Sequence, residues 1–272
     1  MTLKIASYNI HKGVSAFGRQ ARIHHLKDAI VTLDADLVFL QEVQGQHDLH
    51  ARRHPHWPQQ AQHEFLAGDS HHAAYGMNAV YDHGHHGNAL LSRFPIHSQA
   101  NHDVSDHAYE QRGILHAVVD HPAAPIHCFV IHLGLFAASR KRQIAALIAT
   151  IERDTPSDAP LIIAGDFNDW NQRLSQDLYH ALGVREAFDM DATHRHPAFL
   201  PASLHRLWKP SRPSHARTFP AGLPWLCLDR VYLRGFEVSQ AQVLSGKPWT
   251  SLSDHVPISA ELQLLQPGQS ER

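Results

Sequence analysis

Cysteine is scarce in this chain. Of 272 residues two are cysteine, Cys128 and Cys227, 99 residues apart and in no CxxC pair. That excludes a disulfide scaffold and a cysteine-based zinc knuckle, and both are expected as buried thiols. Formal charge is scarce too. Asp, Glu, Lys and Arg make up 18% of the residues, below the roughly 25% of an ordinary soluble domain. The formal net charge is -2, whereas a protein that coats nucleic acid needs an excess of Lys and Arg. A globally basic nucleic-acid coat is therefore excluded. Long apolar runs are also missing. The longest, residues 128–138, is interrupted by His132 and falls well short of the about 20 residues of a membrane-spanning helix. The N-terminus has no basic segment followed by an apolar stretch, so no secretory signal is read there. A soluble, cytoplasmic protein without a transmembrane segment is expected.

Histidine takes the place of the missing charge. There are 26, against 24 Lys plus Arg and 26 Asp plus Glu. With an unperturbed pKa of about 6.5, an exposed set of this size would gain on the order of twenty positive charges between about pH 7 and pH 5. The hydrophobic fraction of 43% is ordinary, and a chain of this length buries roughly three quarters of its unfolded surface.

The apolar pattern predicts strands at 3–10, 36–41, 78–81, 88–94, 113–120, 126–133, 160–167, 228–233, 238–244 and 255–264. Helices are expected where apolar residues recur on one face: Ile23, Leu26, Ile30 and Leu33, then Ile144, Leu147, Ile148 and Ile151 within 139–153, and again over 171–182. The stretch 44–77, with His47, His50, His54, His56, His63, His71 and His72 among prolines and glycines, reads as a long solvated loop or insertion. Gly84-His85-His86-Gly87 has the length and composition of a hairpin turn. Residues 193–220 are irregular and proline-rich, and 266–272 form a polar tail expected to be disordered. No repeat or linker divides the core, so one α/β domain over 1–265 is the economical reading.

The polar residues near the ends of these apolar runs are the informative ones. Asn9, Glu42, His132, Asp166, Asn168, Asp229, Asp254 and His255 sit where side chains can converge on one rim of a sheet core. Singly each has a structural reading: Glu42 as the first exposed residue after a strand, Asp166 and Asn168 as turn and helix cap, Asp229 as an edge-strand charge, His132 as a buried strand histidine.

As an ordered set they resemble the endonuclease/exonuclease/phosphatase superfamily. The matching pieces are Tyr8-Asn9-Ile10, Leu40-Gln41-Glu42-Val43, Gly87-Asn88 through Arg93, Ile131-His132-Leu133, Gly165-Asp166-Phe167-Asn168, Leu228-Asp229-Arg230-Val231-Tyr232 and Ser253-Asp254-His255. The resemblance implies a DNase I-like four-layer α/β sandwich, two mixed, largely antiparallel β-sheets flanked by helices. It also implies a divalent-metal-dependent phosphoesterase that attacks a phosphodiester, or a phosphomonoester, in line with an activated water. Its metal, Mg²⁺ or Mn²⁺, would be held by Glu42, Asn9 and Asp254, since a hard ion prefers oxygen ligands. Asp166 and Asn168 match the pair that orients the water, Asp229 and His255 an Asp-His dyad, His132 a phosphate donor, and Asn88 a polar group of the same rim. Asp166 and the His255 dyad both stay open as general base. His11 and the pair His85-His86 adjoin matched motifs and are candidates to line the cleft.

Substrate identity stays open as well. Residues 193–220 carry Arg195, Arg206, Lys209, Arg212 and Arg217 and no acidic residue. Arg206, Lys209 and Arg212 are therefore candidate substrate contacts for a nucleic-acid backbone, a sugar phosphate or a phospholipid head group. Apolar residues interleaved over 199–212 could rest on a membrane surface or cover the core. His194, His196, His205 and His215 in the same loop would strengthen anion binding below about pH 6. The remaining alternative, an inactive phosphate-binding relative, would be expected to lack part of the catalytic set, and none of it is missing.

Overall fold

The computed structural model describes residues 2–15, 19–107, 110–170, 174–191 and 216–265. The expectations for Arg206, Lys209 and Arg212, for the 199–212 surface, for the loop histidines and for the tail 266–272 lie outside the described residues.

Strand β1 (Thr2–Asn9) leads through helix α1 (Ile23–Leu33) to β2 (Leu37–His47). Helices α2 (Asp48–Arg53) and α3 (Gln62–Ala67) precede β3 (His72–Tyr81), β4 (Gly84–Ser92), β5 (Ile96–Asp103), β6 (Gly113–Val119) and β7 (Ile126–His132). The long helix α4 (Ala137–Asp154), β8 (Leu161–Asp166), α5 (Leu174–Leu182), β9 (Arg185–Glu186) and α6 (Ala187–Met190) follow. Strands β10 (Asp229–Arg234), β11 (Phe236–Val243) and β12 (Ile258–Leu264) come last. Two six-stranded sheets result, ordered β11-β12-β1-β2-β4-β3 and β5-β6-β7-β8-β10-β9. Each is mixed. The pairs β1-β2 and β7-β8 are parallel, and every other pair is antiparallel. A parallel pair needs a crossover, and α1 and α4 supply it. The DNase I-like architecture expected from the sequence is thus the one found.

The layers follow from the period-two alternation of strands buried on both faces. Leu3, Ile5, Leu37, Phe39 and Leu90 of the first sheet meet Leu115, Cys128, Val130, Ile162, Val231 and Leu233 of the second in the central core. The alternate residues Tyr8, Val38 and Leu40 face outward to Ile23, Leu26 and Ile30 of α1 and Leu66 of α3. Phe129, Ile131 and Ile163 face Ile144, Leu147 and Ile151 of α4 and Leu178 of α5. Truncating Phe39, fully buried between the sheets, to Ala is expected to cost about 3–5 kcal/mol in a denaturant titration, as the cavity cannot close.

Several local expectations are corrected. Residues 44–77 are not a loop: β2 runs on to His47, and α2, α3 and most of β3 follow. The apolar pattern missed them because histidine rings do the packing. His47 stacks on His50 with centroids 3.7 Å apart, His50 meets Trp57 at 5.0 Å, and His63 stacks on Tyr75 at 4.5 Å. The His47 ring also caps α2, Nδ1 accepting from the His50 amide at 3.1 Å. Gly84 to Gly87 is not the hairpin turn but the start of β4, the turn being Asp82-His83. Gly87 marks close strand approach instead, since a Cβ there would lie 1.8 Å from the Gly76 carbonyl oxygen. Strand β5 escaped notice because it is an edge strand, exposed along most of its length, with little apolar signal. Cys128 is buried as expected, whereas Cys227 is only half-buried because it lies in the loop before β10. Among the described residues no helix is long and apolar enough to cross a membrane.

Burial pushes the pKa of His50 and of His116 down to about 4, with neighbouring histidines adding to the effect. Between about pH 6.5 and that value the unfolded chain binds protons that these folded sites refuse, so the stability they govern falls as pH falls. In EDTA, the urea unfolding midpoint of His50→Phe, which keeps the ring contact without the titrating group, is expected to gain on that of the wild type as pH falls from about 6.5 to about 4.5.

Candidate active site

The two parallel pairs decide where the site lies. In each, both strands run the same way: β1 ends at Asn9 beside Gln41, where the pairing of β2 with β4 breaks, and β7 ends at His132 directly opposite Asp166, the end of β8. Asp229, Asp254 and His255 reach this rim differently from the expectation that such residues follow strand ends. Asp229 opens β10, whose antiparallel register places it opposite Asp166, and Asp254 and His255 lie in the loop before β12. Antiparallel pairing brings the start of one strand to the end of its neighbour.

Asn9, buried at 1% exposure, joins the two sheets. Its amide nitrogen lies 3.2 Å from Glu42 Oε1 and 3.3 Å from Asp166 Oδ2, and its carbonyl oxygen accepts from the His11 amide at 3.1 Å. Asp166 Oδ1 accepts from the Asn168 amide at 2.9 Å. Asp166 Oδ2 also lies 3.6 Å from His132 Nε2 and 3.8 Å from His255 Nε2. The other nitrogen of His255 is 2.7 Å from Asp229 Oδ2, and Phe219 covers the ring at 5.0 Å. Ser253 Oγ donates to the backbone carbonyl of Asn9 at 2.7 Å, fixing the loop that carries Asp254, whose carboxylate faces His11 Nδ1 at 3.2 Å. Asn168 Nδ2 donates to the Leu133 carbonyl at 2.9 Å. Asp169 accepts from the Leu174 amide at the start of α5 at 3.0 Å, while Asp166 and Asn168 stand at the rim.

The electrostatics are those of a dry cluster of acids and imidazoles. Burial pushes Asp166 up to about 7, with Asp229 adding to the rise against the pull of His255. Burial opposes the charged form of His255, but the Asp229 carboxylate and its hydrogen bond outweigh it and raise the imidazole to about 10. His132 goes the other way, held well below its ordinary value by burial and by Arg112. Asp229 Oδ1 and Asn88 Oδ1 are buried without a hydrogen-bond partner, an expensive condition unless something else meets them.

Backbone strain collects here as well. Five non-glycine residues have positive φ among the described residues, and four, His11, Lys12, Glu42 and Asn168, belong to this rim. Such conformations cost roughly 1–3 kcal/mol apiece and persist where the surroundings enforce them. At Glu42 (φ 56) the pairing of β2 with β4 breaks register between Leu40 and Val43, turning the carboxylate out of the pleat.

The structure also places residues that sequence reasoning left aside. Arg112, Gln111 and Asn78 line a cleft with Glu42, His86, Asn88 and His132, and Lys12 Nζ lies 3.6 Å from Glu42 Oε2. His11 and His86 adjoin the site as considered, whereas His85 turns to the Tyr75 hydroxyl at 3.0 Å. Asn88 Nδ2 donates to the carbonyls of Gly113 and Val130 at 3.0 and 3.1 Å, a second bond between the sheets. Nothing in the local sequence of Arg112 signals its place, which depends on β6 lying beside β7.

Replacing Asp229 with Asn removes the charge that holds His255 up and leaves the burial that pushes it down. In metal-free protein, His255 ring resonances are expected to stay those of imidazolium through about pH 8 in the wild type and to be neutral at pH 7 in Asp229→Asn. NMR titration reads both.

The sequence profile of the Endonuclease/Exonuclease/phosphatase family matches residues 6–255. The uncharacterized protein YbhP of Escherichia coli (strain K12) is 41% identical over 266 residues, 97% of each chain. Among solved structures, D. rerio TDP2 complexed with a single-strand DNA product superimposes with a TM-score of 0.67 at 17% identity, covering 96% of this chain and 99% of that one. The mannosyl-6-phosphatase Bt3783 of Bacteroides thetaiotaomicron VPI-5482 gives a TM-score of 0.67 at 18% identity, covering 96% and 100%. With the ordered motifs on one rim and the profile spanning both sheets, the chain belongs to the endonuclease/exonuclease/phosphatase family.

Proposed function

We propose that the protein is a divalent-metal-dependent phosphoesterase that hydrolyses a phosphodiester by in-line attack of water. The observation that carries this reading is the convergence of Asn9, Glu42, His132, Asp166, Asn168, Asp229 and His255 from both sheets within hydrogen-bond or ion-pair reach of a neighbour.

The donor set fits a hard cation: carboxylate and amide oxygens dominate, and buried oxygens of Asp229 and Asn88 stand without partners. In this reading Glu42, Asn9 and Asp254 hold Mg²⁺ or Mn²⁺, which when bound supplies Lewis-acid stabilisation of charge on the phosphoryl oxygens. Asp166 and Asn168 position the attacking water. Its proton passes to Asp166, which titrates at about 7 and so is partly ionised at neutral pH, while His255, raised to about 10 by Asp229, faces it at 3.8 Å as the imidazolium. His132 and Arg112 face the phosphoryl group from the β7 and β6 side, where donors stabilise developing negative charge.

The rim loops carry exposed apolar side chains: Leu135 and Phe136 after β7, Trp170 after β8, Leu223 and Trp225 before β10. They favour a phosphate flanked by apolar or stackable groups over a small, fully polar ester.

Turnover is expected to vanish in EDTA and return with Mg²⁺ or Mn²⁺. Glu42→Ala and His255→Ala are each expected to lose about 100-fold or more in kcat, Glu42→Ala with an unfolding midpoint near that of the wild type. A panel of abasic DNA, plasmid DNA, phospholipids and a chromogenic bis-aryl phosphodiester reads the substrate class. Near-wild-type turnover by either variant overturns the assignment, and inactivity on every substrate with metal bound favours a phosphate-binding module.

A further inference from the structure

A second group of metal-capable side chains lies on the outer face of the β5-β10 sheet. His102 comes from β5, His116 from β6, and Asp154 is the last residue of α4. A ring nitrogen of each histidine and a carboxylate oxygen of Asp154 lie within 4.8 Å of one another. His102 Nε2 is 3.7 Å from Asp154 Oδ2 and, though buried, has no hydrogen-bond partner. Behind the group, His127 of β7 sets its Nδ1 3.1 Å from His116 Nε2 and 3.4 Å from Thr155 Oγ1. His116 is buried, its ring stacked on Phe129 at 4.2 Å, so its position is fixed by the core.

We propose that His102, His116 and Asp154 form a second metal site, separate from the phosphoesterase centre, that takes Zn²⁺ or another borderline transition ion.

Register alone brings the ligands together. His102 pairs opposite Ile114 and His116 opposite Phe129, so the three rings and the end of α4 share one face of the sheet. The donor chemistry separates this group from the reaction centre. Two imidazoles and one carboxylate suit Zn²⁺, Co²⁺ or Ni²⁺, whereas a carboxylate and amide set suits Mg²⁺. Ligands 2.0–2.1 Å from a tetrahedral ion lie about 3.3 Å apart, so the group needs only a modest contraction of side chains. A water would take the fourth position. His127 stands where a partner that fixes the tautomer and orientation of a ligating histidine is found, and the C-terminus of α4 adds the negative end of its dipole. The two centres do not share ligands: His127 is five residues from His132 along β7, about 17 Å at 3.3 Å per residue.

One group opposes the ion. Arg153 makes two hydrogen bonds to the Asp154 carboxylate, at 2.7 and 2.6 Å, but its side chain is largely exposed and can swing into water. Bound metal would replace that surface pair with a tie between α4 and β5. This strand has a free edge and little apolar surface to hold it, so the ion's expected effect is on stability rather than on turnover.

The test uses the full chain stripped of metal and held in excess Mg²⁺, titrated with Co²⁺ and followed by visible absorption. One equivalent is expected to give the intense bands of a tetrahedral site, displaced by Zn²⁺, with Zn²⁺ raising the melting temperature. His102→Gln, on an exposed strand that tolerates it, and Asp154→Asn are expected to lose both signals. Arg153→Ala, which frees the carboxylate, is expected to bind several-fold tighter. Glu42→Ala should keep the bands, and this separates failure here from failure of the phosphoesterase reading. Absence of tetrahedral bands in the wild type, or bands that survive in His102→Gln and Asp154→Asn, overturns the proposal.

Discussion

Everything at the rim depends on one constraint, the parallel alignment of β1 with β2 and of β7 with β8 at the middle of the two sheets. Parallel strands share an exit, and packing the sheets face to face sets the two exits side by side. Asn9 then reaches Glu42 on its own sheet and Asp166 on the other, and Asn88 reaches the carbonyls of Gly113 and Val130. These side chains are buried and directional, so they fix the relative slide of the sheets, which an apolar interface alone leaves loosely specified.

The same arrangement explains why polar groups that would be costly in a core persist. Asp166, Asp229 and His255 are all buried, and two carboxylates that close together repel. The imidazole between them lessens this, held in its charged form by Asp229 and presenting its other nitrogen to Asp166. The backbone conformations at Glu42 and Asn168 work to the same end, aiming short side chains where regular pleating would not. A rim built this way holds its polar side chains in one defined arrangement.

Much of this was legible in the sequence, for a physical reason. Strands buried on both faces must be continuously apolar, so a polar residue that ends such a run stands out, as Asn9, Asp166 and His132 do. Where the signal is not hydrophobicity, the sequence is silent. The ring cluster of His47, His50 and Trp57 looks polar yet packs as aromatic surface, which hid α2, α3 and the length of β2. Strand β5 buries almost nothing, and Arg112 and Lys12 are brought to the cleft by pairings distant in sequence. Arg206, Lys209 and Arg212 lie outside the described residues.

The order of strands has a consequence for how the protein is made. One sheet, β5 to β10, is an uninterrupted stretch of sequence. The other is completed only when β11 and β12 return to β1, with Asp254 and His255 in the loop that delivers β12. As the ribosome releases the chain, the β5-β10 sheet can form while β1 still waits for its partner. The half of the cleft that carries Asp166 and Asp229 can thus precede the imidazole that joins them. A nascent or truncated chain lacking this closing strand would hold most of the cleft residues without the imidazole that joins them, so the polar cluster of the rim is completed in one late step.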